Sequence, residues 1–157
     1  MRTVFLVATV IFVIDQVSKY WIVQVLDLKT RLAIDVLPPL INLRMAWNTG
    51  INFGALASPD PMMRWVWISV AIVIVGAVLW WVHTDPHGRW QKIAAGFLVG
   101  GAFGNVVDRV IYGAVADFLN MSCCGFTNPT SFNVADIAVF IGAFGMVIFS
   151  SDKKKAA

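Results

Sequence analysis

The chain has 157 residues, of which 59% are hydrophobic and 13% charged, with a formal net charge of +3. Soluble domains are about 45–50% apolar and about a quarter charged, so this composition excludes a water-soluble globular fold and points to an integral membrane protein. The modest, scattered positive charge gives no basis for a nucleic-acid surface.

A membrane-spanning helix needs about 20 mostly apolar residues. Four segments approach that length, over roughly 3–25, 62–82, 90–107 and 133–151. The first resembles the start of a secretory leader, but Asp15, Gln16 and Lys19 follow it where a small-residue cleavage site would stand, so an uncleaved span is expected. Asp15 and Lys19 are spaced i, i+4 and share a helix face; an interfacial ion pair and a functional role both fit that spacing. Residues 26–61 are not apolar enough to cross. Within them Ile41, Leu43 and Met45 alternate with Asn42 and Arg44, the period of a half-buried strand. Asn48 opens "NTGINFG", which reads equally as a turn or as a place where an amide is presented to a ligand.

The second span is the cleanest. The third is rich in glycine, and Gly100 and Gly104 form a GxxxG pattern that lets helices approach closely. Asn105, Asp108 and Arg109 then fall on one helix face, with Arg109 expected to pair with Asp108 and brace the span end. Asp117 stands among apolar residues in the loop 108–132. Asn133 and Asp136 open the fourth span at capping-box spacing, so Asp136 can serve as a helix cap, a catalyst or both. The cysteines, Cys123 and Cys124, are neighbours and cannot staple distant parts of the chain.

With four spans, Arg2, the loop "HTDPHGRWQK" and Lys153 to Lys155 fall on one side. Short basic segments beside span ends mark the cytoplasm, so both termini are expected there. Asp15, Lys19, Asn48, Asn105, Asp108, Arg109, Asp117, Asn133 and Asp136 then all gather at the opposite face. Scattered substitutions would not produce that convergence across several helix ends. There is no HExxH and no GxSxG, and both histidines lie on the cytoplasmic side. What remains is carboxylate chemistry, in which two close aspartates share a proton and activate water. Asp117 with Asp136 is one such pair, Asp108 supplies a competing partner, and the spacing leaves the choice open.

The order of these motifs resembles the bacterial signal peptidase II (lipoprotein signal peptidase) family. The resemblance rests on "DQVSK" at 15–19, "NTGINFG" at 48–54, "GGAFGNVVDR" at 100–109, "VADF" at 115–118 and "FNVAD" at 132–136. It implies an α-helical integral membrane protein with four transmembrane helices and a small extracytoplasmic β-cradle, forming one peptidase domain over 1–157. It implies an aspartyl endopeptidase of the bacterial inner membrane that removes the signal peptide of diacylglyceryl-modified prolipoproteins, cutting before the lipidated cysteine. Asp117 and Asp136 match the family's catalytic dyad. Asn48, Asn105, Asp108, Arg109 and Asn133 match residues that line or brace its site, and Asp15 and Lys19 belong to the first motif. Membrane lipids and the prolipoprotein are the expected partners, with no nucleic acid, metal or organic cofactor, and a monomer is expected. Ile51-Asn52 stand where the family often has two small residues, and "MSCCGFTNPTS" matches no family motif. A small proton or ion carrier built on intramembrane aspartates and a non-catalytic scaffold subunit are the competing classes.

Overall fold

The computed structural model describes residues 1–50, 60–84, 88–125 and 128–150. Ile51 to Gly54 of the second motif, His87 and the terminal lysines used to assign sidedness lie outside them. In chain order the elements are α1 (Arg2–Lys19), a π-helical continuation (Tyr20–Val25), a single-turn α2 (Leu28–Arg31), β1 (Ala33–Leu37), β2 (Ile41–Asn48), α3 (Met63–Thr84), α4 (Arg89–Tyr112), β3 (Val115–Asn120) and α5 (Val134–Ser150).

Among the described residues, three helices are long and apolar enough to cross a bilayer: Arg2–Val25, Met63–Thr84 and Arg89–Tyr112. At 22 residues, α3 is about 33 Å long, against a hydrocarbon core of about 30 Å. The fourth apolar helix, Val134–Phe149, is shorter. Aromatic side chains stand exposed at both ends of the bundle: Tyr20, Trp21, Trp65 and Tyr112 at one, Trp80 and Trp90 at the other. Such rings favour the membrane–water interface because they are apolar with one polar tip.

Glycines set the helix packing. Lipid tails are as apolar as leucine, so helices in a bilayer associate through close contact instead of through expulsion of water. A Cβ added at Gly96 would meet Val7 and Val4, one at Gly100 would meet Ala8 and Ile11, and one at Gly104 would meet the Asp15 carboxylate. This ladder fixes α1 parallel to α4 and brings Asp15 level with Gly104. On the other flank Gly101 meets Ala135, and Gly142 meets Leu98 and Ala94, so α5 runs antiparallel along α4. Placing valine at Gly142 would put a Cβ 2.5 Å from the Leu98 nitrogen and 2.7 Å from the Ala94 oxygen. Those are backbone atoms, so the helices must part. The expected loss is about 1–3 kcal/mol, read as a lower unfolding free energy in bicelles.

Three strands form an antiparallel sheet in the order β1-β2-β3. The expected strand is present and extends to Asn48, whereas β1 and β3 lie in segments read as loop. Along β2, Leu43 pairs with Leu119 but Ala46 pairs with Asp117, so β2 carries one extra residue there. Val23, Leu28, Leu43, Ala116 and Phe118 cluster to form the core between the sheet and the end of the first helix.

Candidate active site

Each predicted polar residue reaches the cluster by a local device. Helix α4 continues past the predicted boundary to Tyr112, which keeps Asn105, Asp108 and Arg109 on regular helical spacing. Gly113 then ends it with φ +79°, its N–H donating to the Arg109 carbonyl at 3.1 Å. Positive φ costs glycine little, and the turn sends the chain directly into β3, which carries Asp117.

The bulge in β2 decides what faces Asp117. Residues paired across an antiparallel ladder point to the same side. Asn48 pairs with Val115, two residues from Asp117, so Asn48 and Asp117 share a side. In an unbulged β2, Met45 and Trp47 would stand opposite Asp117 and Val115. Bulges re-aim side chains in this way next to functional sites.

Asp117 is 1% exposed. Its Oδ2 accepts from Asn48 Nδ2 at 3.0 Å and its Oδ1 from Asn133 Nδ2 at 2.6 Å. Asp136, also buried, accepts from Asn105 Nδ2 at 2.9 Å and from the Asn133 backbone N–H at 3.3 Å. The Asp136 N–H donates in return to Asn133 Oδ1 at 2.9 Å, completing the expected capping box. Asn133 therefore holds both carboxylates, one through its side chain and one through its backbone. The amide of Asn105 is oriented without ambiguity: its oxygen accepts from Asn133 at 3.2 Å and from Lys19 at 3.4 Å, leaving its nitrogen to Asp136.

Burial pushes the Asp117 carboxyl up to about 7, and the charge of Asp136 adds to the rise; the Asn48 and Asn133 hydrogen bonds and the Lys19 charge oppose it. A proton thus persists at this site to neutral pH. Replacing Asn48 by alanine removes a donor to the ionised form. The Asp117 carboxyl should then titrate at higher pH, read from its carboxylate band by infrared spectroscopy.

Asp108 and Arg109 take separate partners, and no ion pair joins them among the described residues. Adjacent helical residues point about 100° apart. Asp108 faces α1, where its Oδ2 lies 2.8 Å from Lys19 Nζ and accepts from the Ala116 N–H at 3.1 Å. Arg109 turns the other way, donating to the Asn105 carbonyl at 3.3 Å and the Gly50 carbonyl at 2.6 Å, which pins the turn after Asn48. Lys19 also pairs with Asp15 at 2.8 Å, and Asp15 Oδ1 accepts from the Ala135 N–H at 3.0 Å. These side chains are almost fully buried, so the pair is no surface ornament.

Gln16 was not anticipated. Its amide donates to Asp15 at 3.1 Å and to the Gly104 carbonyl and Asp108 at 3.4 Å. The signal was present, a glutamine next to Asp15 in an apolar helix. The contributions of the Ala116 and Ala135 N–H groups left none, because a backbone donor has no residue type. No group of three or more histidine, cysteine or acidic side chains suited to a metal occurs among the described residues. A cleft of about 260 Å³ opens beside the cluster, lined by Trp67, Val70 and Ile74 of α3 and Val139 of α5, with Asn105 and Arg109 at its polar end.

Fold and cluster together define a membrane protein with a buried aspartate pair where strand β3 meets the helix ends. The model of the signal peptidase (SPase) II family matches residues 7–151. A lipoprotein signal peptidase of Alteromonas mediterranea is 35% identical over 96% of this chain and 82% of its own length. One from Pseudoalteromonas atlantica is 39% identical over 90% and 84%. A solved structure of a bacterial membrane enzyme superposes with a TM-score of 0.77 at 27% identity, covering 94% of this chain and 87% of that one. The chain belongs to the signal peptidase II family.

Proposed function

We propose that the protein is an aspartyl endopeptidase that cleaves the signal peptide from diacylglyceryl-modified prolipoproteins, on the N-terminal side of the lipidated cysteine. The observation that carries this reading is the double grip of Asn133 on Asp117 and Asp136. Four buried carboxylates share the cluster with the cations Lys19 and Arg109, so complete ionisation leaves excess negative charge and favours one proton held at the pair. The ionised aspartate takes a proton from water as the oxygen attacks the scissile carbonyl. The protonated aspartate gives its proton to the carbonyl oxygen. Collapse of the tetrahedral species breaks the C–N bond and returns a proton to the leaving amine.

Asn48, Asn105 and Asn133 fix the carboxylates, and Arg109 holds the Gly50 turn. Asp15, Lys19 and Asp108 lock α1, α4 and α5 around them. The apolar cleft beside Asn105 receives the substrate's signal helix, leaving its lipid in the bilayer. With α5 counted as the fourth span, both termini are cytoplasmic, and the sheet and dyad face the extracytoplasmic side of the inner membrane. One chain supplies the whole site, consistent with a monomeric, single-domain enzyme.

The test is purified protein in lipid vesicles given a diacylglyceryl-prolipoprotein. The expected product is a mature lipoprotein beginning at the lipidated cysteine, identified by mass spectrometry. Proton flux without cleavage would replace this reading with a carrier, and neither activity would leave a scaffold.

A further inference from the structure

The loop between β3 and α5 holds a feature that the peptidase chemistry does not use. Cys123 and Cys124 are both exposed and both free. Adjacent side chains on an extended backbone point to opposite sides. Here Cys124 adopts φ 58° and Gly125 φ +83°, and these left-handed residues turn the chain so that the two Sγ atoms come into direct contact. A non-glycine residue adopts that conformation only at an energetic cost. Met121, Ser122 and Leu40 join the two thiols in lining an open cavity of about 430 Å³, so a reagent can reach them.

We infer that Cys123 and Cys124 form a vicinal dithiol site that exchanges with disulfides, either of small thiols or of a redox protein, and closes on itself through the intervening peptide bond. One thiolate attacks the incoming disulfide and releases one thiol. The neighbouring thiolate then displaces the second, so the chain loses two electrons and two protons and the reagent becomes two thiols. Neighbouring Cα atoms lie about 3.8 Å apart, shorter than the usual disulfide range of about 4.4–6.8 Å. The bond is therefore readily reduced again.

Closure stays at the loop tip. Asn120 Nδ2 donates to the carbonyls of Asn128 at 2.9 Å and Thr130 at 2.8 Å, and Ser122 Oγ accepts from the Asn128 N–H at 3.0 Å. This clasp separates the cysteines from Asp117 on one side and Asn133 on the other. In an oxidising space the pair ends as an intrachain ring, where a single thiol would end as a cross-link.

The chain has no other cysteine, so intact mass reads the outcome directly. The purified protein is equilibrated with mixtures of reduced and oxidised glutathione and quenched with N-ethylmaleimide. The expected oxidised species carries neither maleimide nor glutathione and is lighter by two hydrogens, whereas Cys123→Ser and Cys124→Ser each carry one glutathione. Wild-type protein carrying glutathione, a disulfide-linked dimer, or two maleimides at the most oxidising ratio would overturn the inference. Prolipoprotein cleavage by the same samples should agree within about twofold; a larger difference would overturn the confinement to the tip. The mass readout needs no peptidase activity, so it stands or falls separately from the proposed function.

Discussion

Asp117→Asn and Asp136→Asn, each made alone, are expected to lower the cleavage rate by about 10³-fold or more. In the proposed mechanism the charge change removes the base or the proton donor while leaving the volume nearly constant. It also has a structural consequence. Both oxygens of Asp117 accept hydrogen bonds, from Asn48 and Asn133, and both oxygens of Asp136 accept, from Asn105 and the Asn133 N–H. An introduced amide must aim its NH2 at a donor, so each variant is checked for folding by its unfolding midpoint in micelles. A folded variant that keeps near-wild-type cleavage removes that residue from the dyad.

The pH dependence follows from the same geometry. Burial first, and the Asp136 charge second, raise the Asp117 value to about 7. The protonated form therefore persists to neutral pH and is lost as pH rises through 7. With one proton required for the reaction, the rate should fall about tenfold per pH unit above that point. In Asp136→Asn the second cause disappears, so the residual activity should lose its proton at lower pH than the wild type. An alkaline limb that stays in place would mean that the neighbouring charge does not act on Asp117.

Much of the site was legible because polar and charged groups are costly in or beside an apolar helix and stand out against it. Asp15, Lys19, Asn105, Asp108 and Asn133 were each visible in this way, and the glycine pattern before Asn105 announced a close helix contact. The pairing inside the cluster was not legible. Asp108 and Arg109 are adjacent with opposite charges, yet α4 turns them to different neighbours, one to Lys19 and one to the Gly50 carbonyl. Strand β3 was hidden because its six residues, "VADFLN", are buried along almost their whole length and show no alternation to read. Asn48 was obscured by the bulge. Counting by twos from Leu43 places it on the wrong side of β2, and only the extra residue before Ala46 returns it to the side of Asp117. That shift belongs to the pairing of two strands about 70 residues apart in sequence, beyond the reach of a local period.

Lys19→Met is expected to be the most destabilising single change away from the dyad. The ammonium lies 2.8 Å from both Asp15 and Asp108, with side-chain exposures of 7%, 0% and 1%. Methionine matches the stem in length but leaves two buried carboxylates without their cation, a loss of about 3–5 kcal/mol when one partner of a buried ionic group is removed. Neutralising all three, as Asp15→Asn, Lys19→Met and Asp108→Asn together, should recover most of that stability. An asparagine oxygen can still accept from the Ala135 and Ala116 N–H groups that the carboxylates now serve. Cleavage should not recover to the same extent, because Asn105 has lost the Lys19 contact to its oxygen and its amide is less firmly aimed at Asp136. Unfolding free energies in bicelles and kcat on the same preparations separate the two effects. If the single variant unfolds within about 1 kcal/mol of wild type, the ion pairs do not hold these helix ends. If stability and kcat return together in the triple variant, Lys19 acts on the dyad only through the fold.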